Sequence, residues 1–144
     1  MAGGEAQRPF EVLLVEPRSS DAVLMREAFR ETEPRSGVTI VASGTEALRY
    51  LAATRSPWPD LVLYSLDLGR PESVEALASL KTTPATRRVP VVVLATQDGA
   101  EARARIYDLH ANCIIPRPTS FDQFRRVVHS IERFWFTIVT LPRE

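Results

Sequence analysis

The stretch Pro59-Asp60-Leu61-Val62-Leu63-Tyr64-Ser65-Leu66-Asp67-Leu68 decides how this chain is read. A proline and an aspartate interrupt the chain, and residues 61–65 then run without a charge. A run this short, apolar on both alternating faces, fits a strand buried inside a parallel sheet rather than one with a wet face. It closes on a hydroxyl, Ser65. Asp67 stands two residues further on, so period-two alternation places it on the same side of the chain.

Outward from that strand the same kind of punctuation repeats. Residues 10–15, 38–42, 90–95 and 113–115 are further short apolar runs. Between them, residues 19–31, 44–54, 72–81, 98–109 and 120–136 show helical spacing. Ser20 or Asp21 is available to cap the first of these helices, Pro71 suits the first turn of the third, and Ser120 with Gln123 offers a capping box to the fifth. Eleven prolines fall between elements or at their starts, where a missing N–H and a fixed φ do no harm. Five strands alternating with five helices imply an α/β fold, a five-stranded parallel sheet covered on both faces. Right-handed crossovers and this length predict a flavodoxin-like, doubly wound order 2-1-3-4-5. In such sheets the working site lies beyond the carboxyl ends of the strands. That points to Glu16, Pro17 and Arg18, to Ser65 through Asp67, to Ala95 and Thr96, and to Pro116 and Arg117.

Composition narrows the function. The 144 residues carry 18 basic and 18 acidic side chains, a balance that argues against a general nucleic-acid or membrane-surface binder. A single cysteine, Cys113, allows no internal disulfide and reads as a buried core thiol. No stretch approaches the roughly 20 apolar residues that span a bilayer. Residues 1–8 are expected to be a disordered tail, neither signal peptide nor anchor, and the chain is expected to be cytoplasmic. His110 and His129 are the only histidines, and neither is placed beside Ser65, so no nucleophile–base triad or metal-ligand spacing emerges. With six glycines and no glycine-rich phosphate loop, a flavodoxin-like small-molecule or nucleotide-binding protein is the distant alternative.

Four stretches, Val12-Leu13-Leu14-Val15-Glu16, Pro59 through Leu68, Val89-Pro90-Val91-Val92-Val93-Leu94, and Ala111-Asn112 through Arg117-Pro118, together resemble the receiver domain of response regulators. The resemblance implies a domain over 9–136 and a site for phosphoryl transfer from a histidine kinase to an aspartate. Such a reaction needs a carboxylate nucleophile, acids that hold Mg²⁺, and a lysine and a hydroxyl that contact the product. By the same resemblance, the acceptor position is Ser65. The acidic pair after the first strand is Glu16 followed by Pro17, the hydroxyl position is Ala95 with Thr96 next to it, the lysine position is Arg117, and the aromatic position of the fifth strand is Ile114. Only Glu16 matches. Mg²⁺ wants one or two carboxylates besides substrate oxygens, so no metal and no cofactor is expected. The vacated space is filled either by an ion pair between Glu16 and Arg117, or by Glu16 on backbone amides with Arg117 turned to solvent.

The end of the chain carries a second signal. Phe124, Val127, Val128 and Ile131 form one stripe on the last helix. Phe134, Trp135, Phe136, Ile138, Val139 and Leu141 exceed what one stripe can bury: either the tail folds back over its own domain, with Phe134 and Trp135 closing the core, or it covers a partner, as an exposed apolar set of this size usually marks an interface. This tail resembles that of single-domain receivers accompanying bacterial phytochromes, which implies a symmetric homodimer with 137–144 as an interface tail. It also implies a histidine kinase or phytochrome-type sensor as partner. Trp58 is expected to pack on the second helix, and Arg103, Arg105, Arg125, Arg126 and Arg133 to lie on solvated helix surface. The expected function is that of a non-enzymatic pseudo-receiver acting through protein–protein contact. The near alternative is a receiver still phosphorylated at Asp67.

Overall fold

The structure, a computed structural model, describes residues 10–32, 36–53, 58–95 and 99–139, with 134–139 described by backbone alone. In chain order the elements are β1 (Glu11–Val15), α1 (Ser19–Thr32), β2 (Gly37–Val41), α2 (Gly44–Ala53), β3 (Leu61–Leu66), α3 (Pro71–Thr82), β4 (Val91–Ala95), α4 (Ala100–Asp108), β5 (Cys113–Pro116) and α5 (Phe121–Val139). The strands form one sheet in the order β2-β1-β3-β4-β5. Every neighbouring pair is parallel, with Val12 opposite Val38 and Leu61, Ser65 opposite Leu94, and Ala95 opposite Pro116. The flavodoxin-like order read from the sequence is the one observed.

Alternation along the strands builds two cores. Val12, Leu14, Leu61, Leu63, Val92 and Leu94 point to one face and pack on Met25 and Phe29 of α1 and on Phe124, Val128 and Ile131 of α5. Leu13, Val15, Val62, Tyr64, Val91 and Val93 point to the other and pack on Ala47 and Leu51 of α2, Leu77 and Leu80 of α3, and Ile106 of α4. Each buried aliphatic side chain contributes about 1.5–3 kcal/mol, and this burial opposes a backbone ordering cost of about 1–2 kcal/mol per residue. Trp58 packs against the second of these cores. Among the described residues, no helix is long and apolar enough to cross a membrane.

Two sequence expectations need correction. The last helix, expected over 120–136, continues to Val139. No glycine or proline interrupts the chain between Ile131 and Pro142, so nothing in the sequence terminates the helix sooner. Cys113 is half-buried, packed against the edge of the α1/α5 core rather than enclosed in it. It begins β5, the strand at one edge of the sheet among the described residues.

Caps fix several helix starts. Ser120 Oγ accepts from Gln123 N at 3.2 Å, while Gln123 Oε1 accepts from Thr119 N at 2.7 Å, the capping box expected, shifted back by one residue on its return arm. At α2, Ser43 Oγ accepts from Glu46 N at 3.1 Å, and Glu46 Oε1 accepts from Ala42 N. At the opposite end of the sheet, Lys81 donates to the carbonyls of Arg87 and Val89 and to Asn112 Oδ1. Asn112 Oδ1 also accepts from Val91 N at 2.8 Å. The ammonium thereby ties the end of α3 to the starts of β4 and β5, and its burial pulls its pKa below the usual lysine range.

Gly44 permits a close approach between α2, β3 and α3. A methyl group there would run into Tyr64 Oη and Ala76 Cβ. The Tyr64 hydroxyl donates to Ser73 O at 2.7 Å, and burial pushes its pKa up to about 12 against the opposing effect of that bond, so it stays a donor. We expect Gly44→Ala to lose about 1–3 kcal/mol through overpacking, read as a lowered urea midpoint. An unchanged midpoint would mean that α2 shifts away from β3 without cost.

Candidate functional site

The same alternation that divides the cores assembles a site. Glu16 continues the parity of Val12 and Leu14, Ser65 that of Leu61 and Leu63, and Arg117 that of Cys113 and Ile115. The earlier members of each series all lie on or against the α1/α5 core. Three polar side chains therefore emerge on one face at the carboxyl ends of β1, β3 and β5, over the first turn of α1. The adjoining cleft, of about 490 Å³, is lined by Pro17, Arg18, Ser65, Asp67, Arg70 and Arg117 among others.

Arg117 is the centre of this cluster. Its Nη2 donates to Glu16 Oε1 at 2.8 Å and also to Asp21 Oδ2. Its Nη1 donates to Ser65 Oγ at 3.0 Å. The Ser65 hydroxyl in turn donates to Glu16 Oε1. The second oxygen of Glu16 accepts from Arg18 N at 3.0 Å, which is the first N–H available because Pro17 has none. Glu16 is 4 % exposed and Ser65 8 %, and only 10 % of the Arg117 side chain is exposed. Burial works against the guanidinium charge, but the bonds to Asp21 and Glu16 and their attraction outweigh it and hold its pKa above the ordinary arginine value. Two carboxylates near the start of α1 are also favoured by its dipole.

The two readings of Glu16 left open by the sequence are both partly realised. The ion pair with Arg117 forms, and a backbone amide takes the other oxygen. Asp67 shares the cleft with Ser65 but engages its own turn. It lines the cleft, but β3 ends at Leu66, and alternation ends with the strand. Asp67 Oδ1 accepts from Gly69 N at 2.9 Å, and Oδ2 lies 3.7 Å from Arg70 Nε. Its carboxylate thus belongs to its own turn. Its backbone N–H donates to Ser73 Oγ. Pro17 is exposed at the rim. Ala95 is buried, and its carbonyl accepts from Arg117 N at 3.0 Å, which sets where Arg117 leaves β5. Thr96 lies outside the described residues, as does Leu141, and so do the side chains of Phe134, Trp135, Phe136, Ile138 and Val139.

Asp21 was overlooked as a site residue. The sequence offered it only as a helix cap, whereas its carboxylate reaches Arg117, ninety-six positions away in the chain. The only available hint was its place in the first turn of the helix that follows β1.

No family model matches the chain. Response regulator Rcp1 of Synechocystis sp. is 32 % identical to it over 142 residues, covering 96 % of this chain and 97 % of that protein. The chain belongs to the response-regulator receiver family. Among solved structures, the phosphorylated cyanobacterial phytochrome response regulator RcpA is 34 % identical, with a TM-score of 0.80 over 94 % of this chain and 99 % of that one. The Mn²⁺-bound form of response regulator Rcp1 is 32 % identical, with a TM-score of 0.78 over 94 % and 100 %.

A divalent cation does not fit the residues present. The two carboxylates that face each other here, Glu16 and Asp21, share one guanidinium nitrogen. Ser65 contributes a neutral oxygen already engaged on both sides. Among the described residues, no group of three or more His, Cys, Asp or Glu converges anywhere.

Removing one partner of a buried pair leaves the other charge uncompensated, at a cost of about 3–5 kcal/mol. We expect Arg117→Met to lose stability on that scale in urea unfolding at neutral pH. Arg117→Lys should recover only part of it, since an ammonium lacks the planar fork that meets three oxygens. A loss below about 1 kcal/mol for the methionine variant, the range of exposed pairs, would show that the cluster is not a buried ion pair in solution.

Proposed function

We propose that this chain is a pseudo-receiver: a response-regulator protein that signals through protein–protein contact without aspartyl phosphorylation. The observation that carries the reading is Ser65. At the end of β3 it presents an alcohol, hydrogen-bonded to Glu16 and Arg117, where the resemblance places the phosphate-accepting carboxylate. An alcohol cannot form an acyl phosphate. Arg117 meanwhile neutralises the acids that would otherwise attract a metal. The Asp67 carboxylate, held in its own turn, gives no support to phosphorylation there.

The partner in this reading is a histidine kinase or phytochrome-type sensor. The support is that RcpA, a relative, is a phytochrome response regulator. The protein is read as a cytoplasmic homodimer. The support for dimerisation is the run of apolar residues near the end of the chain, Phe134, Trp135, Phe136, Ile138, Val139 and Leu141. Balanced charge favours neither nucleic acid nor a membrane surface as partner. The reading assigns the chain no enzymatic activity and no cofactor.

The test is incubation with acetyl phosphate and Mg²⁺, with intact mass as the readout. The wild-type protein should gain no phosphoryl group. Ser65→Asp should gain none either, because Arg117 would still hold Glu16 and Asp21, Pro17 supplies no carboxylate, and Ala95 supplies no hydroxyl. Stoichiometric labelling of the wild type would overturn the proposal, and labelling of Ser65→Asp alone would show that a single substitution separates this site from a working one.

A further inference from the structure

The basic residues of this chain are unevenly chosen. Of the 18, Lys81 is the only lysine and every other is an arginine. A guanidinium stays protonated, whereas an amine can lose its proton and accept an acyl group. This one amine-bearing side chain stands in the last turn of α3, at the end of the sheet away from Ser65. Its Nζ donates to Arg87 O at 2.9 Å, to Val89 O at 3.0 Å and to Asn112 Oδ1 at 3.2 Å, which uses every donor an ammonium has. The bonds to Arg87 and Asn112 lie at the exposed surface, so a reagent in solution reaches the nitrogen. All three partners are neutral oxygens, and among the described residues no carboxylate pairs with Lys81. Loss of the Arg117 charge would strand two acids, but loss of the Lys81 charge strands none. Burial, which holds its pKa below the usual lysine range, enlarges the share of neutral amine.

We infer that Lys81 is a lysine-acylation site whose reagent is an acyl phosphate, and that acylation unties α3 from the starts of β4 and β5. In the step, the neutral Nζ adds to the carbonyl carbon of the acyl phosphate. The bond from that carbon to the phosphate oxygen breaks, phosphate leaves with the electron pair, and one amine proton passes to solvent. An amide results, and nothing is oxidised or reduced. The acylated nitrogen carries no charge and a single N–H, so at least two of the three oxygens lose their donor. Asn112 Oδ1 keeps Val91 N, but the link from α3 to both strands is broken. The first turn of α3 lines the cleft, and its Ser73 carbonyl accepts from the Tyr64 hydroxyl. A change at the last turn of that helix therefore bears on the strand that carries Ser65 without any chemistry at Ser65 itself. The inference stands beside the pseudo-receiver reading and does not need it.

Acetyl phosphate is the probe, used on the full-length wild type and read by peptide mapping, which separates Lys81 from the amine of the N-terminus. Lys81 should take one acetyl group, at least about twofold faster than the same lysine in the urea-unfolded chain, since only folding lowers its pKa. The protein acetylated at Lys81 should melt at least about 2 °C below the untreated protein. Lys81→Arg, treated alike, should keep its own melting temperature, because a guanidinium takes no acetyl group. The inference is overturned if Lys81 stays unmodified in the folded protein, if it reacts no faster there than in the unfolded chain, or if the protein acetylated at Lys81 melts like the untreated one. These measurements need no variant that folds. The same reagent tests the pseudo-receiver reading, but a phosphoryl group and an acetyl group differ in mass and in the residue that bears them, so either idea can fail while the other stands.

Discussion

Through one buried guanidinium, the ends of three parallel strands and the start of a helix are tied into a single electrostatic unit. Arg117 reaches Glu16 after β1, Ser65 at the end of β3 and Asp21 in α1, while its own backbone N–H is fixed by the carbonyl of Ala95 at the end of β4. In a parallel sheet each strand end is a free terminus of the ladder, where loops diverge and charges gather. Here the ends are joined by charge-assisted hydrogen bonds shielded from solvent, which are stronger than their neutral counterparts. The arrangement depends on every acid having its cation, because a partly satisfied polar cluster at low dielectric is worse than an apolar one.

The rest of the structure brings these groups together and keeps water from them. The two layers of aliphatic side chains set the strand register, and the register sets which residues share a face at the strand tips. Met25 and Phe29 anchor α1 against that face, which delivers Asp21 to Arg117. On the other side of the sheet, Tyr64 and Gly44 let α2 and α3 close tightly on β3, so the strand carrying Ser65 is held from both sides. The family fold carries a buried ion pair between Arg117, Glu16 and Asp21 at the carboxyl ends of its strands.

The fold was legible in the sequence almost to the residue. Short apolar runs bounded by proline and polar turns have one good solution at this length, and apart from the end of α5 no element boundary lies more than two residues from its expected place. The single larger shift has a local cause, a helix with nothing in its sequence to stop it before Pro142. Asp67 reaches the cleft as alternation suggests, but β3 ends one residue earlier and its carboxylate is taken up by its own turn, where Oδ1 accepts from Gly69 N.

Sequence alone determined the chemical inventory at the strand tips: an alcohol at 65, a proline at 17, a lone glutamate at 16, an arginine at 117. It also fixed the face on which 16, 65 and 117 emerge, because a period of two is a local property of the chain. Only the tertiary structure decided that Arg117 turns inward, and that Asp21 joins it from ninety-six positions away. Those outcomes depend on where α1 settles against the sheet and on how much water the packed helices leave between them. Such quantities belong to the assembled core and to no single stretch of chain.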